Sequence, residues 1–217
     1  NLTEARNSLF LEKVAKFKTQ INRDYEYIYK ADPYFHNYVT YAIALLELQG
    51  GRLKAELYGV YLRNLTPLVG NSEYMNFFAS FYKDIFMELG GDPNKTMHRT
   101  INVKRNYSSL NDAISSENYL DNSSLRSLVI IQGLKEIYNR GGYDKSAVKS
   151  ILEEISESDI TAYEDIAKNS LSVLEKGSKG YKLDDFKMLN ANEELVSLSD
   201  FEGQYIYIGF FATWCQP

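Results

Sequence analysis

Ser123-Ser124-Leu125-Arg126-Ser127-Leu128-Val129-Ile130-Ile131-Gln132-Gly133-Leu134-Lys135-Glu136-Ile137 states the fold class most clearly. Leu125, Leu128, Ile131, Leu134 and Ile137 recur at helical spacing, the serines open the segment with capping hydroxyls, and Gly141-Gly142 ends it. The same pattern repeats upstream. Phe10, Val14, Phe17, Ile21, Tyr25 and Ile28 share one face of a long amphipathic helix over Thr3–Lys30. Asp32 and Pro33 supply an N-cap and a first-turn proline for a second helix, which runs through Tyr38, Tyr41, Ala42, Leu45 and Leu46 to Gly50-Gly51. A third covers Leu53–Leu62, and a fourth, capped by Asn71 or Ser72, runs through Met75, Phe78, Phe81, Tyr82, Ile85 and Phe86 to Gly90-Gly91.

Between Asp92 and Asn122 the chain is more polar and less periodic, which predicts short helices around Ile101 and Leu110–Ile114 joined by turns. Asp144 caps a helix through Val148, Ile151 and Leu152, and Thr161 and Glu164 stand at capping-box spacing before Ile166, Leu171 and Leu174. Residues 1–176 therefore read as an α-helical domain. Gly177-Ser178-Lys179-Gly180 opens a linker over 177–181, after which the periodicity switches from helical to alternating. Over 182–217, Phe186 and Leu189 precede the turn-like Asn190-Ala191-Asn192, and Val196 and Leu198 follow it. Tyr205-Ile206-Tyr207-Ile208 then leads into Gly209-Phe210-Phe211, an apolar run suited to a strand covered on both faces.

The 217 residues have ordinary globular composition, 44% hydrophobic and 24% charged, and suffice for two domains. A net charge of −5 opposes the phosphate neutralisation on which nucleic-acid binding depends. Tyr41–Leu46 is interrupted by Glu47, so no stretch has the length of a membrane span. No signal sequence or lipid anchor is visible after Asn1. The single cysteine excludes an internal disulfide within these residues.

That cysteine, Cys215, follows the apolar run directly in Phe210-Phe211-Ala212-Thr213-Trp214-Cys215-Gln216-Pro217. A cysteine between a strand end and a helix start has its thiolate stabilised by unpaired N–H groups and the helix dipole. As a class, a lone cysteine after an apolar strand is more often buried and inert. The surrounding pattern reverses that reading. Val196-Ser197-Leu198-Ser199-Asp200-Phe201-Glu202-Gly203, an apolar strand, and then Ala212-Thr213-Trp214-Cys215-Gln216-Pro217 resemble the TlpA/ResA thioredoxin-like family.

The resemblance implies an extracytoplasmic bacterial thiol–disulfide oxidoreductase of the periplasm or cell envelope, acting on protein thiols or disulfides or on a redox partner protein, without cofactor or metal. It matches Cys215 to the nucleophile, Trp214 to the aromatic residue before it, Pro217 to the position that tunes the potential, and Thr213 to the supporting motif. The expected fold is mainly α: a multi-helix N-terminal domain read from periodicity, followed, as the resemblance implies, by the first strands of an incomplete thioredoxin-like α/β domain. The family's second cysteine, next helix, cis-proline loop and remaining strands fall outside these residues, so turnover is expected of a parent protein rather than of this stretch. A peroxiredoxin would place its threonine three residues before the cysteine, whereas Thr213 is two before.

Ten of eighteen tyrosines and seven of eleven phenylalanines fall in the first ninety residues, which suits inter-helix packing or a groove for a peptide or protein ligand. The alternative function is accordingly a helical binding module without catalysis. A strand-mediated oligomer is a further expectation for the apolar run. His36 and His98 lack metal-ligand spacing, and Glu153, Glu154, Glu157 and Asp159 read as a solvated face.

Overall fold

A computed structural model of the chain describes residues 2–90, 96–140, 142–157, 162–176, 178, 180–209 and 212. It is mainly helical, and its contacts divide into two compact units, Asn1–Leu174 and Glu175–Pro217.

In the first unit the helices are α1 (Leu2–Asp24), α2 (Glu26–Ala31), α3 (Pro33–Gln49), α4 (Lys54–Tyr61), α5 (Ser72–Phe81), α6 (Ile85–Gly90), α7 (Thr96–Arg99), α8 (Tyr107–Ile114), α9 (Ser123–Ile137), α10 (Lys145–Glu157) and α11 (Glu164–Lys176), the last running into the second unit. Their starts are set by side chains. Asp32 accepts from Phe35 N–H at 3.0 Å, Asn71 from Tyr74 N–H at 3.1 Å, Asn106 from Ser109 N–H at 2.8 Å and Asn122 from Leu125 N–H at 3.2 Å. The cap of α9 is thus Asn122, one residue before the serines. Its amide nitrogen also donates to the carbonyls of Arg63 and Leu65 at 3.1 Å each, tying the loop after α4 to the start of α9. The expected box at Thr161 lies outside the described residues, since Thr161 itself does.

Two expected helices are each divided in the structure. The first breaks at Tyr25. The fourth breaks before α6 because Asp84 adopts φ 60, its N–H donating to the Glu136 carboxylate at 2.9 Å and its own carboxylate pairing with Arg140 at 2.5 Å. Bonds to α9 and the residues just after it therefore override the local apolar pattern. The aperiodic segment contains α7, a π-helical turn Thr100–Lys104 and α8. Arg105 ends that turn at φ 54 and pairs with Asp144, while Asn102 accepts from Asp144 N–H at 2.8 Å, so polar bonds to the start of α10 shape it.

The core is aromatic around α3, α4 and α5 and aliphatic around α9. Tyr74, Phe77, Phe78, Phe81, Tyr82 and Phe86 are almost wholly buried, with Tyr41 meeting Tyr74 edge-on at 4.8 Å. Helix α9 is buried nearly all round rather than along the single stripe read from its sequence, with α6, α8 and α10 packed against it. Gly133 permits the approach of α6: a Cβ there would stand 2.7 Å from the Phe86 ring. Burial of apolar surface on this scale is the main term stabilising the unit.

The second unit holds β1 (Lys187–Leu189) and β2 (Leu195–Ser197), an antiparallel pair with Lys187 opposite Ser197, Met188 opposite Val196 and Leu189 opposite Leu195. A 3-10 turn, Leu198–Phe201, follows directly.

Candidate functional site

The residues matched to dithiol chemistry, Thr213, Trp214, Cys215 and Pro217, lie outside the described residues, as do Phe210 and Phe211. What the structure describes is the approach to them. The β1–β2 turn is built on Asn190, whose side-chain oxygen accepts from Asn192 N–H at 2.9 Å and Glu194 N–H at 3.0 Å. Asn190 and Glu194 then close the hairpin through Asn190 N–H to Glu194 O at 2.9 Å.

The Val196–Gly203 segment has a definite local geometry. Ser197 and Asp200 form a capping box, with Ser197 N–H donating to the Asp200 carboxylate at 2.8 Å and the Ser197 hydroxyl accepting from Asp200 N–H. Beneath it sits Asp185, a residue the sequence reading did not single out. Its carboxylate accepts from the Ser197 hydroxyl at 2.6 Å, Ser199 N–H at 3.0 Å and the Ser199 hydroxyl at 3.3 Å. Those bonds, that from Ser197 first, hold the Asp185 carboxyl below its ordinary pKa. The two serines and Asp200 of the motif are therefore accounted for by backbone capping and by Asp185. No spacing rule within the motif reaches back twelve residues to find it.

After Gly203, at φ 83, the chain has no regular secondary structure over 205–209. Its side chains alternate. Tyr205 and Tyr207 are fully exposed, at 109% and 96%, while Ile206 and Ile208 line an open apolar concavity of about 390 Å³ with Phe186, Met188, Val196 and Phe201. Over 205–208 the isoleucines are about half as exposed as the tyrosines and no strand is formed, while Phe210 and Phe211 of the expected strand lie outside the described residues. Alternation of tyrosine with isoleucine conceals that difference in exposure in sequence, because both residue types score as apolar.

The helical unit carries a second cluster that motif reading missed. Glu47, buried in α3, accepts from Arg52 at 2.6 Å and from the Tyr61 hydroxyl at 3.1 Å, and lies 3.5 Å from Lys18 of α1. Lys18 also donates to the Tyr61 hydroxyl at 2.9 Å; partial burial opposes its charge, but these partners raise its pKa overall. The single sequence signal was a glutamate interrupting an apolar run. Lys18 and Arg52 offset its charge and the Tyr61 phenol donates a hydrogen bond to it, so the cluster is a structural clamp.

The tyrosines divide between core and surface. Tyr41, Tyr58, Tyr61, Tyr74 and Tyr82 are buried, with the Tyr41 hydroxyl donating to Tyr61 O at 3.1 Å, Tyr82 to Tyr119 O at 2.7 Å and Tyr58 to Asp121. Burial, reinforced by Tyr61, pushes the Tyr41 phenol to about 12, and burial with the Asp121 bond does the same for Tyr58. Tyr25, Tyr27, Tyr34 and Tyr38 are exposed. His36 stacks on Tyr29 at 4.7 Å and His98 bonds Asn102 at 2.8 Å, and no group of three potential metal ligands converges among the described residues. Glu154 departs from the solvated-face reading, since its carboxylate accepts from Tyr107 N–H at 2.7 Å at the start of α8; Asp159 lies outside the described residues. No protein-family model, curated protein or solved structure matches the chain.

Proposed function

We propose that the protein containing this chain is an extracytoplasmic thiol–disulfide oxidoreductase of the TlpA/ResA type, with Cys215 as its nucleophile. The observation that carries this reading is the order of local structures ahead of the cysteine. A hairpin runs into a capping-boxed turn at Val196–Gly203, and the apolar sequence Tyr205-Ile206-Tyr207-Ile208 then leads towards Ala212-Thr213-Trp214-Cys215-Gln216-Pro217. This order parallels the family pattern on which the resemblance rests.

The Cys215 thiolate attacks one sulfur of a substrate disulfide, forming a mixed disulfide and expelling the other sulfur as a thiolate. A second cysteine, placed directly after Pro217 by the family order, then attacks Cys215 Sγ and releases the remaining substrate thiol. The substrate gains two electrons, the protein is left as the disulfide, and a dithiol reductant restores it. Trp214 and Pro217 flank the reacting sulfur and tune its potential.

The test is insulin-disulfide reduction by the protein extended through the rest of the thioredoxin-like domain, with dithiothreitol as reductant. Cys215→Ser is expected to lose at least about a hundredfold in rate, because the mixed disulfide cannot form. Undiminished activity in that variant, or a Cys215 thiol that alkylates with the pH profile of an ordinary cysteine, near pKa ~8.5, defeats the proposal.

A further inference from the structure

Helix α1 is joined to its unit along a narrow line. Val14 is its one buried side chain among the described residues, Leu11 and Phe10 close on Gly50, and Lys18 reaches Tyr61 and Glu47. The flank beside this line faces outward. Bonds from Tyr25 N–H to Ile21 O at 2.9 Å and from Tyr29 N–H to Tyr25 O at 3.0 Å carry helical pairing across the break into α2. Phe10, Lys13, Phe17, Gln20 and Asp24, spaced three and four apart, lie along one stripe of α1, and Ile28 of α2 is exposed beyond the break.

The stripe combines apolar and cationic side chains. Leu9, Phe17 and Tyr27 are 55%, 48% and 84% exposed, and Phe10 and Ile28 are exposed beside them. Arg6 and Lys13 stand along the same flank with Asp24, Lys16 and Arg23 lie about a quarter-turn further round, and Glu12 and Glu26 are the other exposed acids of α1 and α2 among the described side chains. Lys16 meets Glu12 at 2.6 Å and Arg23 meets Asp24 at 3.2 Å in exposed pairs that water screens, while Arg6 and Lys13 have no ion pair among the described residues. A cationic, aromatic stripe on a chain of net charge −5 is complementary to an anionic surface. Interleaved aromatic, aliphatic and basic side chains on a helix flank suit the plane of lipid headgroups.

We propose that the α1–α2 stripe docks the helical unit onto an anionic lipid bilayer, with Phe10, Phe17 and Ile28 at the acyl boundary and the cations at the lipid phosphates. The helix lies on the membrane rather than across it, and no described helix is long and apolar enough to span. Co-sedimentation of the 217-residue chain with phosphatidylglycerol–phosphatidylcholine vesicles, and with phosphatidylcholine alone, tests this. Binding is expected to the anionic vesicles, to be released by added salt, and to weaken roughly fivefold for each cation removed. Lys13→Glu with Lys16→Glu, and separately Phe10→Ser with Phe17→Ser, should each lower binding more than about tenfold while helical circular dichroism is retained. Absence of binding, equal binding to neutral vesicles, unchanged binding by the charge-reversed variant, or a salt-insensitive interaction of the unsubstituted chain overturns the proposal. So does light scattering showing a dimer that the Phe10→Ser, Phe17→Ser variant abolishes, because the stripe is then covered by a second copy.

Discussion

The helical unit and the strand unit are built from equally apolar sequence but held by opposite means. In the first, the side chains of α3–α6 and α9 bury one another, with hydrogen bonds capping helix ends and joining buried polar groups such as Glu47 and the Tyr82 hydroxyl. In the second, the one buried side chain among the described residues is Ser197, while Met188, Leu189, Leu195, Tyr205 and Tyr207 face water. Its shape is set by Asp185, Asn190 and the Ser197–Asp200 box. Apolar patterning therefore specifies structure only where opposing surfaces are available to bury it; elsewhere polar capping suffices to fix a local conformation.

The largest separation of the two units is expected at high pH. Burial raises the phenols of Tyr41 and Tyr58 to about 12, and raises Tyr74 and Tyr82 further. A phenol whose folded pKa exceeds its unfolded value, near ~10, stabilises the fold fully below that value and loses the contribution as pH rises through the folded pKa. Helical circular dichroism should collapse together with phenolate formation in the helical unit above about pH 12. Smooth ionisation of every tyrosine with the helical signal intact would contradict the buried-phenol account.

A smaller, site-directed effect follows from the aromatic core. Phe77 is fully buried, with ring centroids 5.7 Å from Tyr61, 5.8 Å from Phe81 and 6.0 Å from Tyr41. Phe77→Ala should cost about 3–5 kcal/mol, because rings packed from several helices cannot all move into the cavity. Urea unfolding followed by circular dichroism measures it, and a loss below about 1 kcal/mol would mean that the aromatic cluster is loosely packed.

The contrast also explains which features were legible in sequence. Helix existence and the caps at Asp32 and Asn71 are local properties of spacing and side-chain type, so they could be read directly. The break at Asp84 could not, because it depends on Glu136 and Arg140, more than fifty residues away. The Glu47 clamp likewise needs Lys18 and Arg52 brought together by folding. Around the candidate site, the hairpin and the Ser-x-x-Asp box were written locally, whereas Asp185 acquires its role from contacts with Ser197 and Ser199. The exposure of Tyr205 and Tyr207 was concealed because tyrosine fits both an interior and a surface.

The smallest effect probes the polar side of the comparison. Ser197→Ala removes the hydroxyl that donates to Asp185 at 2.6 Å and caps Asp200 N–H, and should destabilise the turn by ~1 kcal/mol without moving the melting of the helical unit. Acid should act at the same place. Because hydrogen bonds depress the folded pKa of Asp185, its contribution is present above the unfolded value of about 3.9 and is lost as pH falls through the folded value. Amide exchange at Leu198 and Ser199 should therefore accelerate below about pH 4, relative to the intrinsic rate, and Ser197→Ala should reproduce part of that acceleration at neutral pH. If instead both perturbations left Leu198 and Ser199 protected, the apolar concavity rather than the Asp185 network would be holding the turn, and the two units would share one means of stabilisation after all.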